Sequence, residues 1–146
     1  MTPQRAKIFI IDDSATNLAV CTQILGAIYD AYQAPSAEGM FSLLETATPD
    51  LILLDVEMPQ MNGYEAARIL KDRDDTKDIP IVFLTGLNDT RNELKGLELG
   101  AVDFIRKPVA ASILLQRIKT HLAVVAERKA KSGGSVRALP QEDAIS

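Results

Sequence analysis

The chain has 146 residues, 47% apolar and 25% charged, which suits one globular domain with a core of its own. A net charge of −4 argues against a domain that grips nucleic acid by itself, and a lone cysteine, Cys21, excludes an internal disulfide. The longest apolar runs stop far short of the roughly 20 residues that cross a bilayer. No signal-peptide pattern opens the chain, so no membrane association and a cytoplasmic location are expected.

Strand and helix signals alternate, which predicts a parallel sheet with helices on both faces. Residues 7–12, with IFII running into Asp12-Asp13, read as a first buried strand. A helix from Ser14 to about Ala27 follows an Asp/Ser pair suited to N-capping. Leu18, Cys21, Ile24, Leu25 and Ile28 form its inward stripe. A weaker second strand lies near 30–34 and ends at Pro35. The second helix covers about 38–47, with Met40, Phe41, Leu43 and Leu44 apolar.

The third strand, 51–55, is LILL closed by Asp55, and a turn at Met58-Pro59-Gln60-Met61 leads to a helix from Asn62-Gly63. That helix carries Tyr64, Ala67, Ile69 and Leu70, and the mixed-charge residues 71–78 read as a solvated loop. Pro80 opens the fourth strand, 81–85, which is IVFL closed by Thr85. The fourth helix runs from about Asp89 to Leu99, with Gly100 in the C′ position. A fifth strand, 102–106, leads to Lys107-Pro108, and the last helix shows Leu114, Ile118, Leu122 and Val125 at helical spacing. Beyond Ala126 the composition shifts, and Ser132-Gly133-Gly134-Ser135 with Pro140 looks like flexible linker. Residues 1–126 are therefore expected to be the domain, and 127–146 a helix end and flexible C-terminal tail or linker.

Four apolar runs thus end on a chemically active residue: Asp12-Asp13, Asp55, Thr85 and Lys107. Ligands of open α/β sheets bind beyond the carboxyl ends of the strands, so parallel neighbours would gather these groups at one rim. Two like charges about 4 Å apart repel by about 4 kcal/mol at an effective dielectric near 20. One ammonium cannot neutralise three carboxylates, whereas a hard divalent cation can, and an all-oxygen site suits Mg²⁺. Aspartate can act as a nucleophile and form an acyl phosphate. Asp55, on the most uniformly apolar strand, is the best candidate, with Asp12 and Asp13 holding the metal. Lys107 and the Thr85 hydroxyl would meet the charge that phosphoryl transfer leaves on the equatorial oxygens. Helix caps, a turn threonine and a solvent-facing lysine are the blander readings, but none explains Asp55 at the end of an apolar strand.

The segments IIDDS, LILLDVEMPQMNG, IVFLTG and GAVDFIRKPV, in this order, resemble the receiver domain of bacterial two-component response regulators (CheY-like). The resemblance covers residues 6 to about 125. It implies a flavodoxin-like (βα)5 three-layer sandwich, α/β in class, with a parallel five-stranded sheet in the order 2-1-3-4-5. It implies Asp55 as phospho-acceptor, and Mg²⁺ held by Asp12, Asp13, Asp55 and the backbone carbonyl of Glu57. Thr85 matches the switch hydroxyl, Phe104 the aromatic switch residue, and Lys107 the family's lysine, with a cis peptide before Pro108. Phe104 also has a plain reading as core packing. Glu57 and Leu87 match positions that tune how fast the phosphoryl group is lost.

The resemblance further implies a phosphorylation switch fed by a histidine kinase or histidine phosphotransfer protein. Its output surface is the fourth helix, fifth strand and fifth helix, acting on a C-terminal output domain or a downstream protein. A homodimer formed on phosphorylation is expected, with no direct nucleic-acid binding by this domain. A Mg²⁺-dependent aspartyl phosphohydrolase is the rival, but such enzymes space two aspartates one residue apart, and position 14 is Ser. A pure interaction module without phosphorylation is the third reading. His121 is expected on a helix surface or interface, and Cys21 in the core.

Overall fold

The computed structural model describes residues 5–86 and 90–138, without the side chains of 90–93, 129 and 131–138. Five strands and five helices alternate: β1 Lys7–Ile11, α1 Ala15–Gly26, β2 Asp30–Ala34, α2 Ala37–Leu44, β3 Leu51–Asp55, α3 Gly63–Asp72, β4 Ile81–Thr85, α4 Thr90–Glu98, β5 Asp103–Arg106 and α5 Ala111–Ala138. The strands form one parallel sheet in the order β2-β1-β3-β4-β5. This is the flavodoxin-like arrangement, with helices covering both faces.

Period-two alternation divides each central strand between two cores. Phe9, Ile11, Ile52, Leu54, Ile81 and Phe83 pack with α2 and α3 residues such as Met40, Tyr64 and Leu70. Ile8, Ile10, Leu51, Leu53, Val82 and Leu84 pack with Leu18, Cys21 and Leu25 of α1 and Leu114 and Ile118 of α5. Burial on both faces is why β1, β3 and β4 read as unbroken apolar runs rather than alternating ones.

Local chemistry sets the helix starts. Ser14 caps α1 by accepting from the Asn17 N–H, and Ser36 caps α2 by accepting from Gly39. Asn62 and Glu65 form a reciprocal capping box at α3. Gly100 ends α4 at φ 94°, a left-handed conformation that glycine adopts without a Cβ penalty.

Three details depart from the sequence reading. Ile28 is not inward, being 50% exposed, and Ile69, one of the apolar residues of α3, is 38% exposed. Ile28 lies beyond the end of α1, and Ile69 stands next to Leu70, which takes the buried position. Residues 71–78 are not simply a solvated loop. The buried Thr76 hydroxyl donates to the Leu70 carbonyl at 2.7 Å, and Lys71 Nζ donates to the carbonyls of Lys77 and Ile79. The first bond satisfies a carbonyl of the last turn of α3, and the other two tie the following loop back to the helix. Finally, the α5 backbone runs helically through Ser132–Ser135 to Ala138, where composition pointed to linker. A nucleated helix gains one bond per added residue, so two glycines weaken it without ending it. The expected start of α4 at Asp89, the Leu87 position and residues 139–146 lie outside the described residues.

Candidate phosphorylation and metal site

The sheet register assembles the site. Asp55 is paired with Leu84 and Thr85 with Arg106, while Ile11, just before Asp12, is paired with Leu54. The Lys107 N–H donates to the Thr85 carbonyl at 2.8 Å, so the turn carrying the lysine is tied to the end of β4. By alternation Asp12, Asp55 and Lys107 continue the positions facing α1 and α5, whereas Thr85 and Phe104 continue those facing α3 and α4. The acidic residues and the two expected switch residues therefore sit on opposite parities at the same edge of the sheet.

Asp12 and Asp55 are buried, at 0% and 2% exposure, while Asp13 is exposed. One oxygen from each of the three carboxylates lies within 4.8 Å of the other two. Lys107 Nζ donates to Asp55 Oδ1 at 2.9 Å and stands 3.3 Å from Asp12 Oδ2. Asp12 Oδ1 accepts the Ser14 N–H at 2.9 Å, which fixes that carboxylate against the start of α1. Burial pushes the Asp55 carboxyl up to about 7; the Lys107 hydrogen bond pulls it down and the Asp12 charge raises it. Burial lowers Lys107, but its hydrogen bond to Asp55 and the charges of Asp55 and Asp12 outweigh this, for a net rise.

Above Asp55 opens a cleft of about 710 Å³ lined by Asp13, Glu57, Asn62, Tyr64, Lys95 and Lys107 among others. Asp55 Oδ2 and Asp12 Oδ2 are both buried without a hydrogen-bond partner. Two such carboxylate oxygens, joined by the exposed Asp13, are a hard, all-oxygen donor set that fits Mg²⁺. A divalent cation there would also satisfy acceptors that burial otherwise leaves at a cost.

The structure thus brings Asp12, Asp13, Asp55 and Lys107 together directly, with Glu57 on the cleft wall. Thr85 is fully buried at the end of β4, and its hydroxyl donates to the Gly86 carbonyl at 3.0 Å. The half-buried Phe104 ring packs against Phe83 at 5.5 Å between centroids. Gly96 of α4 lies so close that a Cβ there would overlap the Phe104 ring. The Lys107–Pro108 peptide is cis.

Several features escaped sequence reading. A Cβ at Gly63 would collide with the Asp55 carbonyl, so glycine lets α3 begin directly against the phospho-acceptor candidate. Gln60 takes φ 71° in the turn between β3 and α3. Most notably, His121 is no plain surface residue. Its Nε2 lies 2.9 Å from Asp103 Oδ2, and Arg117 Nη1 donates to Asp103 Oδ1 at 2.9 Å and to the Phe104 carbonyl at 3.1 Å. Asp103 Oδ1 also accepts the Phe104 N–H at 2.7 Å. Burial tends to raise the Asp103 carboxyl, but His121, the Phe104 N–H and Arg117 together hold it below the usual range. The i, i+4 spacing of Arg117 and His121 was the available signal.

The family model of the response regulator receiver domain matches residues 8–119. The chain belongs to the response regulator receiver family. It is 42% identical over 115 residues to a "probable cyclic di-GMP phosphodiesterase" of Vibrio cholerae, covering 79% of this chain and 26% of that protein. It is 38% identical over 118 residues to the response regulator PleD of Caulobacter vibrioides, covering 79% and 26% of the two chains. Its fold superposes on a chemotaxis protein, CheY4, of Vibrio cholerae with a TM-score of 0.75 at 26% identity, over 80% of this chain and 98% of that one. The chain therefore spans about a quarter of the length of those two curated relatives. As a receiver domain it is a module of two-component signalling. Among the described residues no helix is long and apolar enough to cross a membrane.

Proposed function

We propose that this receiver accepts a phosphoryl group on Asp55 from a histidine kinase or histidine phosphotransfer protein, with Mg²⁺ held by Asp12, Asp13, Asp55 and the Glu57 carbonyl. The observation that carries this reading is the Asp55 carboxylate itself. One of its oxygens is held by Lys107, and the other is buried without a partner beside two further aspartates. An Asp55 oxygen attacks phosphorus while the donor's bond to phosphorus breaks and its electron pair leaves with the donor. Lys107 stays protonated and faces the incoming charge. Mg²⁺ supplies charge neutralisation to the transferring group.

The phosphorylated state then biases a two-state equilibrium in which Thr85 turns from the Gly86 carbonyl toward the phosphoryl group and the Phe104 ring moves inward. Output runs through the α4–β5–α5 face to a C-terminal domain, a downstream protein or a second copy. The receiver unit ends near residue 126, the remainder of α5 serves as connector, and the protein works in the cytoplasm. Intrinsic autophosphorylation and autodephosphorylation follow from the same site. Incubation with phosphoramidate should label the chain only when Mg²⁺ is present, and Asp55→Asn should not label. Equal labelling of that variant refutes the assignment.

A further inference from the structure

The cleft over Asp55 holds a second cation that the phospho-acceptor reading leaves unused. Lys95, on α4, lines this cleft with Asp13, Asp55, Glu57 and Lys107. Lys107 is committed to Asp55 and Asp12. Lys95 is exposed, and among the described residues no carboxylate pairs with it. Its Nζ stands 5.7 Å from the centroid of the Tyr64 ring. That ring is buried and meets Phe83 edge-on at 5.0 Å, so the platform under the ammonium is fixed by the core. A cation–π contact at an exposed site is weak, and the lysine stem is flexible. The ammonium is thus stationed at the cleft but easily drawn off its ring by an anion.

A donor approaching Asp55 meets Asp13 and Glu57 on the cleft wall, and their charge repels it. We propose that Lys95 recruits the anionic phosphoryl group of the donor to the cleft before transfer. This rests on the reading of Asp55 as phospho-acceptor. With N-protonated phosphoramidate as donor, an Asp55 oxygen forms the new bond to phosphorus, the phosphorus–nitrogen bond breaks, and its electron pair leaves on the already protonated nitrogen as neutral ammonia. Lys95 pairs with non-bridging oxygens of the arriving group. It raises the rate of productive encounter and contributes nothing to the bond change.

The test measures the second-order rate of phosphoramidate labelling of the full chain at saturating Mg²⁺, as a function of ionic strength. Lys95→Met should lower that rate about five- to tenfold at low salt and flatten its salt dependence, as loss of one unit charge near the cleft requires. Lys95→Arg should retain both, and Mg²⁺ affinity should not fall in either variant. Lys95→Met labelling at the wild-type rate with the wild-type salt slope overturns the proposal. So does an equal loss in Lys95→Arg and Lys95→Met, which would mark a packing role. A wild-type chain that does not label overturns the phospho-acceptor reading and this proposal with it.

Discussion

Lys107 Nζ stands 2.9 Å from Asp55 Oδ1, while Oδ2 of the same buried carboxylate has no hydrogen-bond partner. One ammonium therefore half-satisfies a group whose remaining oxygen faces the acidic cluster. This asymmetry sets the behaviour of the ion-free protein.

The pH dependence follows in sign. Asp55 is raised from 3.8 to about 7, so the folded state holds this proton more tightly than the unfolded chain. Its contribution to stability is fully present below about pH 4 and is lost as pH rises through about 7. Lys107, raised above 10.5, stays charged throughout that window and adds no slope. Thermal midpoints without Mg²⁺ should fall from pH 5 to pH 8 more steeply in the wild type than in Asp55→Asn. Mg²⁺ should remove most of the difference, because it favours the ionised form. Parallel slopes in the two proteins would contradict the buried, proton-holding state of Asp55.

Removing the lysine should be costly mainly without metal. Lys107→Met leaves the Asp12 and Asp55 carboxylates facing each other with no cation, at a cost of roughly 2 kcal/mol in urea unfolding. Saturating Mg²⁺ should recover more stability in this variant than in the wild type. A loss unaffected by Mg²⁺ would mean that the lysine acts through packing.

The Gly96–Phe104 contact gives a prediction whose size depends on the background. In the wild type, Gly96→Ala drives its Cβ into the Phe104 ring and should destabilise by about 1–3 kcal/mol. With Phe104→Ala the closest obstacle is gone and only the Phe83 ring remains, at 3.0 Å from the added Cβ, so the same change should cost markedly less, helix propensity offsetting part of it. A double-mutant cycle measures this coupling. Additive effects would show that the ring does not occupy the space at Gly96.

The polar clamp on β5 makes its own claim. Asp103→Ala removes the acceptor for Arg117, His121 and the Phe104 N–H, and should cost about 1–2 kcal/mol. Amide exchange at Phe104 should speed up more than at Ile105, whose place in the sheet is unchanged. Equal acceleration along β5 would point to general loosening instead.

How far the sequence foretold this can be argued from particular residues. The strands at 51–55 and 81–85 were readable because burial on both faces demands unbroken apolar runs, and the polar residue ending each run named the rim. Gly100 announced its turn because few other residues accept φ 94°. What stayed hidden depends on distant partners. Thr76 and His121 look like surface residues until the fold supplies the Leu70 carbonyl and Asp103. Gly63 and Gly96 do not reveal in sequence which backbone or ring needs the missing Cβ. The lysine at 95 lay on a helix face whose register against the cleft only the packed structure fixes.

The most direct measurement locates the acyl phosphate itself. The chain would be phosphorylated with Mg²⁺ present, reduced with borohydride to convert an aspartyl phosphate to homoserine, and mapped by peptide mass spectrometry. The account predicts homoserine at position 55 and at no other aspartate. Homoserine at 12 or 13 with Asp55 intact would contradict it.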